Sequence, residues 1–193
     1  MLEGKNVNLR VTEKEDMPLL AEWLNNPEFF GQYFAPLQRS KAEMEKMLEN
    51  NPLEMKNFII EKKDGAKIGL MSHFNMLAPY AKMLEIGYAL LPSERRKGYC
   101  TEATQLMVDY LFLSKNIARI QATTHAGNAA SQKVLEKSGF KKEGTLRKAV
   151  QSRGETTDLA IFSILREEWE RTKNTNKNRM KRKLTSAPAR AEC

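Results

Sequence analysis

A short basic segment at residues 95–101, R-R-K-G-Y-C-T, separates a strand-like run at residues 84–91 from a helix-like run that begins near Thr101. A loop in this position directs several backbone N–H groups at one point, and the helix after it adds its unpaired N-terminal donors and the positive end of its dipole. Such an arrangement binds phosphate groups, and basic side chains add charge for an anionic ligand. The segment therefore predicts a pyrophosphate site for a nucleotide-like cofactor. An ordinary solvated helix start is the alternative, because the segment matches neither the P-loop nor the dinucleotide fingerprint.

The composition is that of one globular domain with a sizeable core, since 41% of the 193 residues are hydrophobic and 29% are charged. No apolar run reaches the ~18 residues of a membrane span, and the polar N-terminus has no signal-peptide hydrophobic region. Cys100 and Cys193 do not form a disulfide framework, which favours a reducing cytoplasm. Together with His73 and His125 they show no zinc-ligand spacing, so no metal site is expected.

The net charge of +8 is concentrated at one end of the chain. Residues 171–193 contain eight Lys or Arg and one acid, a net +7, whereas residues 1–170 contain 24 basic and 23 acidic residues, a net +1. The segment 171–193 has no apolar periodicity, and we expect it to be a disordered basic tail after a domain at 1–170. Because the body has no basic excess, nucleic-acid binding is expected only through this tail.

Periodicity and capping residues predict alternating strands and helices. Thr12, with Glu15 three residues later, is expected to cap the first helix, and Asn128 and Gly139 are expected to begin and end a later one. The predicted elements are a strand at 7–11, helices at 12–24 and 40–49, strands at 57–61, 67–74 and 83–91, a helix at 101–114, a strand at 119–124, a helix at 128–137 and a strand at 157–165, with one further strand left open. This order favours a mixed sheet with helices on both faces.

Three motifs occur in register along this order. Residues 85–88 read E-I-G-Y, residues 95–100 match the pattern Q/R-x-x-G-x-G/A except at its last position, and residues 128–140 fit N-x-x-S followed by V-L-E-K-x-G-F. Over about residues 5–168 the chain resembles the GNAT superfamily of acetyl-CoA-dependent N-acetyltransferases, and within it the RimJ/RimL-type branch. The resemblance implies an α/β fold whose central sheet is mixed but mostly antiparallel, with helices on both faces and two parallel strands that splay apart at the cofactor slot.

The resemblance also implies acetyl transfer from acetyl-CoA to a primary amine by direct attack. The expected acceptor is a protein N-terminal or lysyl amine, and the alternative is a small amine such as an amino sugar, an aminoglycoside or a polyamine. An open, acidic groove would favour a peptide and a closed one a small molecule. A binding module that holds CoA or RNA without turnover is a further alternative, against which the intact set of Glu85, Gly98, Asn128 and Ser131 argues. Both a monomer and a homodimer are compatible with the sequence.

The resemblance implies that the loop at 95–101 and the strand before it hold the cofactor, and that Asn128 contacts the pantetheine arm of the cofactor. The implied cofactor-binding residues are Tyr88, Ala89, Leu90, Arg95, Arg96, Lys97, Gly98, Tyr99, Cys100, Thr101, Asn128 and Ser131. The chain departs from the pattern at Cys100, where the family has Gly or Ala, and at Leu135, where many members have a Tyr proton donor. Cysteine is small and behaves as a modest hydrophobe, so close approach of the helix to the phosphates is still expected.

Two side chains are the candidate catalytic residues. Glu85 is placed to take the proton of the acceptor amine as general base, or else only pairs with a substrate cation or with solvent. Ser131 is placed to donate a hydrogen bond to the leaving sulfur, or else only satisfies a backbone N–H in the first helical turn. A backbone N–H near Tyr88 or Ala89 is the candidate oxyanion donor, while Gly87 is alternatively a β-bulge.

The aromatic stretch after the first helix falls where the family builds its acceptor pocket, although such residues also cover cores. His73, on the strand at 67–74, is a further candidate for the acceptor slot, with an ordinary strand histidine as the alternative. His125 is expected to be structural. The candidate acceptor-binding residues are Phe29, Phe30, Tyr33, Phe34 and His73.

Overall fold

The protein is built on one eight-stranded sheet in a computed structural model that describes residues 1–33, 38–40, 42–43, 46, 54–76, 83–152 and 154–185. The strands are β1 (Leu2–Glu3), β2 (Val7–Val11), β3 (Lys56–Lys62), β4 (Lys67–Asn75), β5 (Leu84–Leu90), β6 (Arg119–His125), β7 (Lys141–Ser152) and β8 (Glu155–Leu165). The helices are α1 (Met17–Asn25), α2 (Pro27–Phe30), α3 (Tyr99–Ser114), α4 (Ala129–Lys137) and α5 (Arg166–Thr185).

The strand order is β1-β2-β3-β4-β5-β6-β8-β7, and every neighbouring pair is antiparallel except β5 and β6. These two parallel strands pair only at Leu84 with Ile120 and at Glu85 with Gln121. From residue 86 onward, β5 therefore has no partner on its β6 side among the described strands. This topology confirms the expected fold class, including the splayed parallel pair.

Both faces of the sheet are covered by helices. On one face, Met107 and Leu111 of α3 are fully buried against strand residues such as Ile120 and Phe162, and Trp169 of α5 packs at the margin. On the other face, α1 and α2 bury a smaller cluster against the sheet, consisting of Met17, Leu20, Trp23, Phe29 and Ile59. Within the described part of the chain, no helix is long and apolar enough to cross a membrane.

The first helix begins later than the sequence predicts. Thr12 is not its cap, because the Thr12 backbone N–H donates to the Asn57 carbonyl at 3.0 Å and so continues the strand pairing. The capping box is formed instead by Glu13 and Asp16 around a short 3₁₀ turn, and α1 starts at Met17. Most of the helix predicted at 40–49 lies outside the described residues.

The predicted caps of α4 are confirmed, and the start of α3 differs from the prediction by two residues. The Asn128 side chain accepts from the Ser131 backbone N–H at 3.1 Å, and Gly139 ends α4 in the left-handed region with φ 93°. Helix α3 begins at Tyr99, before the predicted Thr101, because Gly98 is already its N-cap with φ 85°.

Two elements at the C-terminal end were missed. Strand β7 is an edge strand whose side chains are nearly all exposed, so it has no apolar alternation to detect. Helix α5 runs to Thr185, whereas the sequence analysis expected disorder from residue 171. The helix is fixed by Asp109, which accepts from the Trp169 indole N–H at 2.7 Å and from Lys173 Nζ at 2.5 Å. These are contacts between distant parts of the chain, which the composition of the tail does not reveal.

Candidate active site

A cavity of about 910 Å³ opens where β5 and β6 diverge. Its walls are residues 29–33, residues 86–90 of β5, the end of β6, one side of α4 along its whole length, and the loop before α3 with the first turn of that helix. The cavity thus brings together the three sequence motifs, which are far apart along the chain. Of the predicted cofactor residues, all except Lys97 line it.

The loop before α3 has the backbone of an anion site. Gly98 adopts φ 85°, which L side chains adopt only with strain, and an added Cβ would meet no atom within 4 Å. The conformation turns the chain sharply into α3, whose first N–H groups have no partner within the helix. Together with the positive end of a 16-residue helix, these donors fit a pyrophosphate.

The basic side chains of the loop do not all act as the sequence analysis expected. Arg95 donates to the carbonyls of Leu90, Glu28 and Phe29 at 2.8 to 3.1 Å, and it thereby ties the loop to α2. Lys97 pairs with Glu94 at 3.1 Å. Arg95 is therefore a structural clamp as well as a source of positive charge, because its guanidinium is committed to backbone carbonyls.

Cys100 occupies the position where the family pattern has Gly or Ala. Its carbonyl accepts from the Thr104 hydroxyl at 2.8 Å, and the residue packs against the larger core. Burial raises the pKa of the Cys100 thiol to about 12. The thiol is therefore neutral, and it is a small apolar group beside the cavity.

The Tyr88 side chain makes a contact that was not predicted from the sequence. Its hydroxyl lies 3.0 Å from Ser131 Oγ and 3.2 Å from the Ser131 carbonyl. Burial raises the pKa of Tyr88, so the phenol remains protonated. The hydroxyls of Tyr88 on β5 and Ser131 on α4 therefore lie together at the cavity wall. Leu135, in the position where many family members have a tyrosine, contributes only an apolar side chain to the same wall. The sequence signal was the Tyr of E-I-G-Y, but only the fold brings it to Ser131.

Glu85 is buried between the parallel strands, with 7% of its surface exposed. Thr123 donates to one carboxylate oxygen at 2.5 Å, and Gln121 Nε2 donates to the other at 3.2 Å. Gly87, two residues on, pairs in regular register with Ser72, so the bulge that the sequence left open is not present. Neither Gln121 nor Thr123 was singled out in the sequence, because their role arises from the register of β6 against β5.

The predicted acceptor-binding residues do not all lie at the same place in the structure. Phe29 is buried in the smaller core and stacks on Trp23 at 5.2 Å between ring centroids, although the residue is also part of the cavity lining. Phe30 and Tyr33 line the cavity more openly, and the Tyr33 hydroxyl donates to the Gly127 carbonyl at 2.9 Å. Phe34 lies outside the described residues.

His73 faces a different space, a cavity of about 490 Å³ at the other end of β5. It is 4% exposed, and burial, assisted by the charges of Lys115 and Lys56, lowers the pKa of His73 to about 4. His125 is buried and contacts Thr157 Oγ1 through Nδ1 at 3.0 Å, as expected of a structural histidine. In the described part of the chain, no cluster of His, Cys, Asp or Glu could hold a metal ion.

Comparisons with known proteins agree with this geometry. Residues 6–141 match the acetyltransferase (GNAT) domain. The chain is 32% identical to the uncharacterized N-acetyltransferase p20 of Bacillus licheniformis, over 87% of this chain and 97% of that protein. It is 30% identical to the ribosomal-protein-serine acetyltransferase of Escherichia coli (strain K12), over 67% of this chain and 70% of that protein.

Among solved structures, the spermidine N-acetyltransferase of Vibrio cholerae, in complex with CoA and spermine, has the same fold. The TM-score is 0.74 at 21% identity, over 86% of this chain and 99% of that one. The chain belongs to the GNAT acetyltransferase family. It is an N-acetyltransferase, and acetyl-CoA is its cosubstrate.

Proposed function

We propose that this enzyme acetylates a protein N-terminal or lysyl amine, as a member of the RimJ/RimL-type branch, and that it works in the cytoplasm. The observation that carries the choice of acceptor is the charge of the cavity wall. The described lining contains Arg95, Arg96, Lys133 and Lys137 but no Asp or Glu. Such a wall suits an anionic cosubstrate together with an acceptor that brings a single positive charge.

The loop at 95–101 is the proposed site of the cofactor pyrophosphate, with Arg96 as the side chain best placed to add charge, since no described residue pairs with it. The unpaired edge of β5 at residues 86–90 is proposed to bind the amide groups of the pantetheine arm, as a peptide adds to a sheet. A backbone N–H near Tyr88 or Ala89 then donates to the thioester oxygen as negative charge develops on it. Asn128 contributes to this wall while it caps α4.

Two groups of side chains are proposed to handle protons. Glu85 is the base that accepts the proton of the acceptor ammonium, because it belongs to the last residue pair before the parallel strands separate. Ser131, paired with the Tyr88 hydroxyl, donates a hydrogen bond to the leaving sulfur. The sulfur can leave as a thiolate near neutral pH, because the pKa of the corresponding thiol is about 8.5. The hydrogen bond from Ser131 is therefore expected to contribute less to the rate than the base does.

The charge of the wall argues against a polyamine or an aminoglycoside. Such acceptors carry several ammonium groups and would need carboxylates, whereas the described lining offers cations. An acidic groove was expected for a peptide acceptor, and the described wall of this cavity is not acidic. An N-terminus or one lysine, however, brings a single positive charge, and that charge is lost when its proton passes to Glu85. The likeness to the spermidine enzyme is at 21% identity and concerns the fold alone.

A panel of acceptors tests this proposal. The acceptors are a peptide with a free N-terminus and no lysine, the same peptide blocked at its N-terminus but with one lysine, the fully blocked peptide, spermidine and glucosamine. CoA release and product mass are measured for each acceptor. We expect one of the two monoamine peptides to exceed spermidine and glucosamine by at least about 100-fold in kcat/KM. A higher kcat/KM for spermidine or glucosamine would establish the small-amine alternative instead.

A further inference from the structure

The carboxylate of Glu85 does not itself line the cavity. Its two oxygens are held by Thr123 Oγ1 and Gln121 Nε2, and the side chain is buried beneath the wall. Thr123, in contrast, does line the cavity and is only half-buried. A proton that travels from the cavity to Glu85 therefore meets the Thr123 hydroxyl first.

The geometry of the three residues follows from the sheet. Glu85 is in register with Gln121 in the parallel pair, and residues two apart on a strand share a face, so Gln121 and Thr123 both point to the side of Glu85. The Thr123 hydroxyl lies 2.5 Å from a Glu85 carboxylate oxygen, so the two side chains are in direct hydrogen-bonding contact. In the described structure no Lys, Arg or His forms an ion pair with Glu85, so its partners there are two neutral donors.

The amide of Gln121 is fixed in the orientation that this arrangement requires. Its oxygen accepts from Arg119 at 2.9 Å, which leaves its NH₂ group to face Glu85. Arg119 is in turn held by both oxygens of Glu143, at 2.5 and 2.6 Å, and Ser163 donates to the same carboxylate at 2.6 Å. Gln121 is thus a positioning residue, and it blocks the Glu85 oxygen that is not bonded to Thr123.

We propose that Thr123 is a catalytic residue that relays the acceptor's proton to Glu85. The ammonium N–H passes its proton to Thr123 Oγ1 while the Thr123 hydroxyl proton moves to the Glu85 carboxylate. The N–H bond and the original O–H bond break, and a new O–H bond forms on each residue. The products are a neutral amine, an unchanged threonine and a protonated Glu85, so charge and atoms balance. The neutral amine is then the nucleophile, and Glu85 later returns its proton to solvent by the same route. This inference rests on the proposed function.

Three variants separate a relay from a merely structural role. Thr123→Val keeps nearly the same shape but removes the hydroxyl, Thr123→Ser restores a hydroxyl, and Glu85→Gln removes the base. At pH 6.5, with an N-terminal peptide as acceptor, we expect kcat/KM to fall about 100-fold in Thr123→Val and in Glu85→Gln, which is the lower end of the range for general base catalysis. We expect Thr123→Ser to stay within about 5-fold of wild type.

The pH dependence provides the decisive readout. A peptide N-terminal amine has a pKa of about 8, so near pH 9 most of it is already neutral and needs no base. The deficit of Thr123→Val should therefore shrink from about 100-fold at pH 6.5 to about 3-fold at pH 9. A variant impaired only in its packing would show a deficit that does not change with pH.

The double variant gives an independent check. If both residues carry the same proton, the double variant Thr123→Val with Glu85→Gln is expected to be no slower than the slower single variant. If their roles were independent, the two losses of kcat/KM would multiply. Acetyl-CoA affinity by titration calorimetry, expected to be unchanged, serves as the control for folding. Should Thr123→Val fail to fold, Thr123→Ser remains the test, because a fall of about 100-fold in its kcat/KM at pH 6.5 would still overturn the relay.

Wild-type activity in Thr123→Val at pH 6.5, or a deficit in Thr123→Ser as large as in Thr123→Val, would overturn the relay and leave acetyl transfer intact. A wild-type enzyme that acetylates neither peptide would instead refute the proposed acceptor.

Discussion

Replacing Gly98 tests whether the loop before α3 holds the pyrophosphate. Gly98→Glu and Gly98→Gln place side chains of nearly equal size on an exposed residue, and no atom lies within 4 Å of the new Cβ. Both variants force a left-handed conformation on a non-glycine residue, which costs about 1–2 kcal/mol of stability. That strain is shared, so the difference in cofactor affinity between the two variants reports on the added charge.

The size of this difference follows from Coulomb's law. Two unit charges about 5 Å apart repel by about 3 kcal/mol at an effective dielectric constant of about 20, and solvent at an exposed loop reduces this to about 2 kcal/mol. We therefore expect Gly98→Glu to bind CoA about 30-fold more weakly than Gly98→Gln. Because screening acts on such exposed charges, the gap should narrow between about 0.05 and 0.5 M salt.

Titration calorimetry with CoA measures the affinities, and thermal melting confirms that the variants are folded. A matched control is Gly154→Glu, which introduces the same charge at another exposed glycine with φ 79°, in the turn between β7 and β8. It should bind CoA as the wild type does. Equal affinities for Gly98→Glu and Gly98→Gln would show that the pyrophosphate is not held at this loop.

Three further predictions concern the rest of the molecule. Tyr88→Phe removes the partner of Ser131, and we expect kcat to fall about 10-fold with little change in KM for acetyl-CoA; a double variant with Ser131→Ala that is much slower than either single variant would contradict a shared role. A chain that ends at Glu170 is expected to keep its turnover on a short peptide and to lose affinity for RNA most clearly at low salt, because it lacks the basic segment; a 100-fold loss of turnover would argue otherwise. Asp16 is 2% exposed and accepts from Arg10 at 2.9 Å, so Asp16→Asn should lower the free energy of unfolding by about 3 kcal/mol at pH 7. The hydrogen bonds from Arg10 hold the pKa of the Asp16 carboxyl below its usual range, so its stabilisation is complete above about pH 4 and is lost as the pH falls; in urea unfolding the gap between wild type and variant should narrow at pH 3, and a constant gap would refute this account.

The sequence by itself determined the elements whose signals are local. The Asn128 cap, the Gly139 turn and the helix α3 are set by residues a few positions apart, and each was predicted close to its observed place. The order of the three motifs along the chain was enough to indicate the GNAT family and its cosubstrate. The caps and the helix can be predicted from the sequence because they depend on backbone chemistry within one or two helical turns.

Tertiary structure alone decided which side chains meet. The register of β6 against β5 places Thr123 and Gln121 on Glu85, the approach of α4 to β5 places Ser131 beside the Tyr88 hydroxyl, and the contact with α2 commits Arg95 to backbone carbonyls. Each of these contacts joins residues that are 36 to 67 positions apart in the chain. No local pattern encodes them, because they result from how strands pair and helices pack, and the chemistry proposed for the site depends on them.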